Sequence, residues 1–397
     1  MYLNNCSTII LFHYEQEHGG KMKNPFHLKA LPLSVPFCDR EKEMSDLIRY
    51  AGNFTNVVLS SPRRYGKTSL IKRVQNSLAK QKVIPIYIDY FGISSIDEFS
   101  ARFAGAVYTV LYKEKSLFEK AARVFTSLRP VLKPDPETGM AFTVEVAKSK
   151  SGGQLLEETL KGFGEFLKSG KISCNVAFDE FQEITELKES KFIEGTLRSY
   201  MQDHQNVSYF FVGSRRRILM DMFNDKKRPF YKSAINYVLP ALPVEDTAGY
   251  LADLFEQNGK SCPSPLAAKI HAMTDGYPYY IQKLSYFVYE VSKDAVTEDS
   301  LQEGLKQMLL EETPLFEIML QALRPRQIAL LHSIAKEPTK TPFATTYISR
   351  HHLGSLGGVQ AAIKKLPEMD YLEKTSAGWK VVDPIFAHWL RQKEAIE

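Results

Sequence analysis

Cysteine is scarce. The four residues, Cys6, Cys38, Cys174 and Cys262, include no C-x-x-C pair. Their scatter excludes a cysteine-rich zinc module and a disulfide framework, and fits reduced thiols in a cytoplasm. No stretch approaches the ~20 apolar residues that a membrane span needs. Thr8 to Phe12 is too short for a signal peptide and lacks its basic flank and cleavage site. A dominant charge is missing too: 51 Lys plus Arg against 46 Asp plus Glu leave a net +5. That is too little for a purely electrostatic nucleic-acid binder and leaves room only for a local basic patch. Internal repeats and low-complexity tracts are absent. What is present is an ordinary globular composition, 44% hydrophobic and 24% charged over 397 residues. At ~150 residues per domain, that length corresponds to two or three domains.

The first residues stand apart. A run rich in His, Glu, Gln and Gly (His13 to Gly20) precedes Lys21-Met22-Lys23. Residues 1–23 read as a disordered leader, or as untranslated sequence upstream of a start at Met22. From Asn56 the chain alternates short apolar runs with longer helical patterns, the mark of a parallel sheet flanked by helices. The expected strands are Val57 to Leu59, Val83 to Ile88, Asn175 to Phe178, Tyr209 to Val212 and Ile235 to Leu239. Each is apolar on both faces, as doubly covered strands should be. Arg129 to Lys150, with Pro130, Pro134 and Pro136, breaks the rhythm and reads as an inserted hairpin. After Pro240 the pattern is helical, and Pro314 and Arg324-Pro325-Arg326 bound a last unit. The expected order is a core over 24–240, a helical lid over 241–314 and a final domain over 315–397.

The first strand runs straight into Ser60-Ser61-Pro62-Arg63-Arg64-Tyr65-Gly66-Lys67-Thr68-Ser69, followed by an amphipathic helix. This is a phosphate-binding loop in its strand–loop–helix setting, with Ser61 in place of the first motif glycine. Backbone N–H groups from Ser61 to Ser69 would cradle phosphate oxygens at a helix N-terminus. Lys67 would reach the β- and γ-phosphates, and the Thr68 hydroxyl would ligate Mg²⁺.

An acidic partner follows about 110 residues later: Asn175-Val176-Ala177-Phe178-Asp179-Glu180 is an apolar strand ending in two carboxylates. Asp179 would hold Mg²⁺, and Glu180 would polarise the attacking water. A paired acid, rather than a lone one, argues for hydrolysis over passive binding. The next strand ends in Gly213-Ser214-Arg215-Arg216-Arg217, placing Ser214 where a polar group orients the lytic water. The arginine run reads either as a solvated helix start or as a phosphate-facing cluster. Of the cations before the fifth strand, Arg228 is the candidate arginine finger.

Three segments together carry a resemblance: Phe37-Cys38-Asp39-Arg40-Glu41, the Ser-Pro-Arg-Arg-Tyr-Gly-Lys-Thr-Ser loop, and Phe178-Asp179-Glu180-Phe181-Gln182-Glu183. The chain resembles, over residues 24 to 395, the archaeal-type ATPases in the AAA+/STAND branch of P-loop proteins. The resemblance implies ATP rather than GTP, and no Asn-Lys-x-Asp guanine-reading motif is present. It places Phe37 and Arg40 by the adenine and Pro278, in Gly276-Tyr277-Pro278, near the nucleotide. The lid carries Gln282 and Lys283 where an arginine would sense the γ-phosphate. Val382-Asp383-Pro384-Ile385-Phe386-Ala387-His388-Trp389-Leu390 is also similar to such chains.

In the last unit, three helical patterns (Arg326 to Ala335, Ala344 to Leu353, Gly357 to Met369) precede two short strands around Ser376-Ala377-Gly378, which is a winged helix. Its third helix, with Gln360, Lys364 and Lys365, would enter a DNA major groove, and Arg350 lies just before it. From Leu315 on there are 11 Lys/Arg against 8 Asp/Glu. That small excess leaves double-stranded DNA and a protein partner both open. The expected fold is α/β: a three-layer P-loop core with a parallel sheet, then a helical lid and a winged-helix domain. The expected activity is Mg²⁺-dependent ATP binding and hydrolysis that repositions the winged helix, in a cytoplasmic protein whose oligomeric state stays open. The alternative is a STAND-like signalling or defence switch whose winged helix contacts protein.

Overall fold

The computed structural model describes residues 24–29, 31–35, 37–111, 119, 128–135, 139–146, 150–170 and 172–393. The leader expectation for residues 1–23 falls outside them. The chain divides into two units. One comprises Ala30–Ala241 with Ile363–Glu373. The other comprises Leu242–Ala362 and Lys374–Glu397, with the N-terminal residues up to Lys29.

In the first of these, α1 (Glu41–Gly52) leads to β1 (Val57–Ser60) and α2 (Lys67–Lys80). Then come β2 (Ile84–Asp89), α3 (Ile96–Leu111), β3 (Leu128–Asp135), β4 (Gly139–Val146), α4 (Gly152–Gly170) and β5 (Cys174–Asp179). A 3₁₀ turn (Phe181–Glu186) precedes α5 (Ser190–Asp203), β6 (Val207–Gly213), α6 (Arg216–Asn224) and β7 (Ile235–Val238). The strands form one parallel sheet in the order β2-β5-β6-β1-β7. Every residue of β1, β5 and β6 is buried. That burial explains why their sequences are apolar without alternation. The order also puts β6 between the P-loop strand and the acidic strand, so three strand ends converge.

β3 and β4 pair antiparallel from Leu128↔Val146 to Asp135↔Gly139, the hairpin expected from the proline-rich stretch. It lies on α3, where the Phe142 N–H donates to Thr109 Oγ1 at 2.9 Å. A Cβ on Gly105 would meet the Phe142 carbonyl oxygen at 2.7 Å, so only glycine lets the two backbones come this close. The core is aromatic: Phe178 lies among Tyr90, Phe99, Phe103, Phe181, Tyr209 and Phe211, with ring centroids 5.6–6.3 Å away.

Beside that cluster, buried His204 takes the Tyr209 hydroxyl on Nδ1 (2.6 Å), and its Nε2–H donates to the Leu160 carbonyl (3.1 Å). A carbonyl can only accept, so its bond to Nε2 places a proton on that nitrogen. Burial pushes the imidazole down to about 4. The unfolded chain, titrating near 6.5, therefore binds a proton first, and stability falls as pH drops from 6.5 towards 4. Between pH 6.5 and 5 this single group is expected to cost the unit about 1.5 kcal/mol, the slope approaching 1.36 kcal/mol per pH unit once the unfolded imidazole is fully charged. Hydrogen-exchange protection of the β6 amides should show that loss in the wild type and not in His204→Gln. An equal slope in both proteins would refute the assignment.

The other unit contains α7 (Val244–Gln257), α8 (Ser264–Met273), α9 (Pro278–Val291), α10 (Glu298–Gln321) and α11 (Pro325–Lys336). It continues through α12 (Thr345–Arg350) and most of α13 (Leu356–Lys365), and ends with α14 (Pro384–Lys393). A small hairpin of β8 (Leu372–Lys374) and β9 (Trp379–Val381) follows α13. The three helices, the hairpin and α14 form a winged helix. The helix α12 is shorter than the sequence pattern suggests, because His352 (φ 51°) and Gly354 (φ 73°) turn left-handed after it. Likewise α13 stops before Leu366-Pro367, since a proline disfavours helix in the residue ahead of it.

Pro314, expected to bound the last unit, lies inside a helix, and α10 runs through it. The proline denies a hydrogen bond to the carbonyl of Leu310, a residue 64% exposed, where water can replace the lost donor. Also unanticipated from helical pattern was α14. Asp383 starts it by accepting from the Ile385 and Phe386 N–H groups (2.9 and 3.0 Å). Phe386 and Trp389 then pack on Phe316, and the Trp389 indole donates to Thr313 Oγ1 (3.0 Å).

Tyr277 donates to the Val382 carbonyl and Tyr280 to the Asp383 carboxylate, while Lys380 sits 3.6 Å from Asp275. The Gly276-Tyr277-Pro278 turn is thereby fastened to the hairpin end and α14 of the winged helix.

Candidate nucleotide site

In the loop between β1 and α2, Arg64 (φ 68°) and Gly66 (φ 78°) have positive φ. Gly66 is the N-cap of α2, and no side chain caps that helix. Ser61 stands in the first glycine position fully buried, its hydroxyl turned onto the Pro62 carbonyl at 3.3 Å. Pro62, Tyr65 and Ser69 are buried, while Arg63 and Arg64 are exposed.

Lys67 is folded back on its own loop, donating to the carbonyls of Ser61 (3.1 Å) and Pro62 (2.9 Å). Burial pushes its ammonium down to about 8, against the pull of Glu180 and Asp179. It remains mostly charged at pH 7.

At the end of β5, Asp179 accepts on Oδ2 from the Thr68 hydroxyl at 2.7 Å and from the Tyr87 hydroxyl at 2.6 Å. Burial, with the Asp179 charge adding to it, pushes the Tyr87 phenol up. Asp89, paired with Asp179 in the sheet register, completes an acidic strand end. Burial raises its carboxyl, the Phe91 N–H pulls it back, and Asp179 and Glu180 push it up further. Glu180 has left-handed backbone (φ 48°, ψ 38°). Its Oε2 accepts from the Ser214 hydroxyl at 2.9 Å and from the Gln182 amide at 2.5 Å. The Thr68–Asp179 and Ser214–Glu180 pairs thus stand side by side at the ends of β1, β5 and β6.

The donor set suits Mg²⁺. It offers a hydroxyl and one carboxylate, hard oxygen ligands that leave the remaining positions to water and phosphate oxygens. Among the described residues no group of three His, Cys, Asp or Glu is placed to hold a metal ion.

The expected residues part company elsewhere. Arg40 is 1% exposed and spends its guanidinium on Glu43 (3.0 Å) and the Pro240 carbonyl (2.7 Å). Phe37 lies under the Arg73 guanidinium, 4.6 Å from ring centroid to Cζ, and Arg73 also holds the carbonyls of Pro32 and Val35.

Arg228, expected as an arginine finger, grips fully buried Glu194 with both Nε (3.0 Å) and Nη2. It cannot reach a phosphate without stranding that carboxylate, at a cost of several kcal/mol. The arginine run divides: Arg217 is exposed, while its two predecessors are half-buried and paired. Arg215 pairs with Glu183 and Glu186 (both 2.8 Å) and Arg216 with Glu373 (2.5 Å). Pro278 belongs to the other unit, as first residue of α9. There Lys283 is 3% exposed and bound to Glu311 and Glu312, so it is no stand-in for a sensing arginine.

Sequence reading passed over Tyr87, Asp89 and Arg73. The first two sit at the end of the strand next to β5, a neighbour relation that strand order alone reveals.

Residues 37–284 match the family model described as "ATPase domain predominantly from Archaea". The chain belongs to this archaeal-type ATPase family. Residues 314–392 match a second model, "Probable winged helix domain". No curated protein matches the sequence. Among solved structures, the ATPase is similar to a Walker-type ATPase of Pyrococcus abyssi, at TM-score 0.66 and 18% identity, covering 89% of this chain and 96% of that one. It is also similar to the ORC2 protein of Aeropyrum pernix in ADPNP–ADP complexes, at TM-score 0.56 and 14% identity, covering 94% and 98%. At these identities the likeness is one of fold. No described helix is long and apolar enough to cross a membrane.

Proposed function

We propose that this ATPase binds Mg²⁺·ATP at Lys67, Thr68 and Asp179, hydrolyses it with Glu180 as general base, and uses the nucleotide state to reposition a DNA-associated winged helix. One observation carries the reading: Lys67, the Thr68–Asp179 pair and the Ser214–Glu180 pair meet at three neighbouring strand ends. Lys67 would exchange the Ser61 and Pro62 carbonyls for β- and γ-phosphate oxygens. Thr68 and Asp179 would hold the metal, which supplies charge neutralisation across those oxygens. Ser214 aims Glu180, which takes the proton of the attacking water. A nucleotide shifts domain orientation only through contacts that differ between its states. The fastening of the Gly276-Tyr277-Pro278 turn to Val382 and Asp383 supports a link between that turn and the winged helix.

The second reading, a STAND-like signalling or defence switch with a protein-binding winged helix, is favoured by the same domain's surface. Two expected phosphate contacts already have acidic partners, Arg350 with Glu337 (2.6 Å) and Lys365 with Glu368 (3.2 Å). Phe343 and Leu356 are exposed nearby in sequence.

Fluorescence anisotropy with random duplex DNA separates the two readings. Exposed pairs are worth ~0–1 kcal/mol, so phosphate can displace them. Three contacts from Arg350, Lys364 and Lys365 give a log–log salt slope of about −2.7, at −0.9 per phosphate. Changing Lys364 and Lys365 to Glu together should weaken duplex binding beyond the loss of those two contacts, since the new charges repel phosphate, and leave ATP affinity unchanged. Wild-type protein without salt-dependent binding, with or without ATP, would decide for the protein-contact reading.

A further inference from the structure

Gln182 is fully buried two residues beyond Glu180, in the 3₁₀ turn that follows β5. Its Nε2 donates to the same oxygen, Glu180 Oε2, that receives the Ser214 hydroxyl. Its own Oε1 is buried and has no hydrogen-bond partner. That orientation is chemically forced, because the opposite one would set the amide oxygen against a carboxylate oxygen. The amide lies where another side chain would be: a Cβ on Gly213 would come within 1.9 Å of Oε1. Gly213 therefore leaves the room that Gln182 fills, directly before Ser214.

An orphaned buried acceptor costs about 1–3 kcal/mol, so an apolar residue of this shape would serve stability better than glutamine does. What glutamine adds is a donor to Glu180. We propose that Gln182 is a positioning residue: with Ser214 it clamps Glu180 Oε2 and so reserves Oε1 for the water. The inference rests on the assignment of Glu180 as general base. It adds that two donors from neighbouring strand ends, rather than packing alone, fix which carboxylate oxygen does the work.

Three measurements on the full chain test it: ATP turnover, nucleotide affinity and melting temperature. Gln182→Met keeps the volume and loses the donor. It should lower kcat by about 10²-fold, the usual effect of a misaimed group, with ATP affinity unchanged and melting temperature equal or higher. Gln182→Glu sets two carboxyls together, so one of them takes up a proton more readily. The shared proton restores a donor to Glu180, and the ratio of variant to wild-type kcat should rise as pH is lowered from 8 to 6. A packing defect would not produce that trend. Should both variants turn over at the wild-type rate while Glu180→Gln is inactive, the clamp is refuted and the base stands. Should Glu180→Gln also be fully active, the base assignment falls and takes the clamp with it. A Gln182→Met protein that loses ATP affinity and kcat together would mark a structural residue and overturn the proposal.

Discussion

Lys67→Ala is expected to fold normally and lose nucleotide affinity by 30-fold to several thousand-fold. Removing a buried charge from its ionic partner costs about 2–5 kcal/mol, and no other buried cation of the loop can replace it. Folding should be little affected. The ammonium is 6% exposed and strained towards neutrality by burial, and its bonds to Ser61 and Pro62 satisfy carbonyls that lie within the loop itself. Titration calorimetry with ATP and Mg²⁺ gives the affinity and thermal unfolding gives the stability. Unchanged affinity in a folded variant would remove the phosphate-binding assignment altogether.

Glu180→Gln should do the opposite, holding ATP while slowing its hydrolysis by roughly 10²–10⁴-fold, the range for a positioned general base. The donors that converge on Oε2, the Gln182 amide and the Ser214 hydroxyl and N–H, would still find an acceptor in the new amide oxygen, so the strand end should keep its shape. Single-turnover hydrolysis beside equilibrium ATP binding separates the two effects. Wild-type turnover in this variant would reduce Glu180 to the residue that opens the 3₁₀ turn. Asp179→Asn is a different case, because the Thr68 and Tyr87 hydroxyls both donate to the oxygen it would replace or reorient.

The central strands β1, β5 and β6 were legible because a strand covered on both faces has no polar side to blur it, whereas the edge strand β7, expected to be doubly covered, is largely exposed. Expected and observed strands agree to within two residues at most ends. The P-loop and the Asp179–Glu180 pair were legible for another reason: each is contiguous in sequence and ends a strand. Whatever depended on which strand lies beside which was hidden. Tyr87 and Asp89 become site residues only because β2 pairs with β5, and Ser214 reaches Glu180 only because β6 enters between β5 and β1. Charge partners were hidden as well. Arg228 looked available until Glu194, from a helix 34 residues earlier, proved to occupy it. The course of α10 through Pro314 was hidden too, because a proline's effect on a helix depends on whether its orphaned carbonyl meets water, which composition does not record.

The left-handed backbone of Glu180 sets stability against chemistry at a single residue. A branched-off side chain in that region costs roughly 1–2 kcal/mol relative to the right-handed form, and glycine is the residue exempt from it. The 3₁₀ turn, the Asp179 carboxylate on the Glu180 N–H (3.0 Å) and the two donors on its side chain hold the conformation in place. The most comfortable residue for this backbone would therefore be one without a carboxylate. Glycine at position 180 would relieve that backbone cost and at the same time strand the buried Gln182 amide, so the carboxylate and its donors hold one another in place.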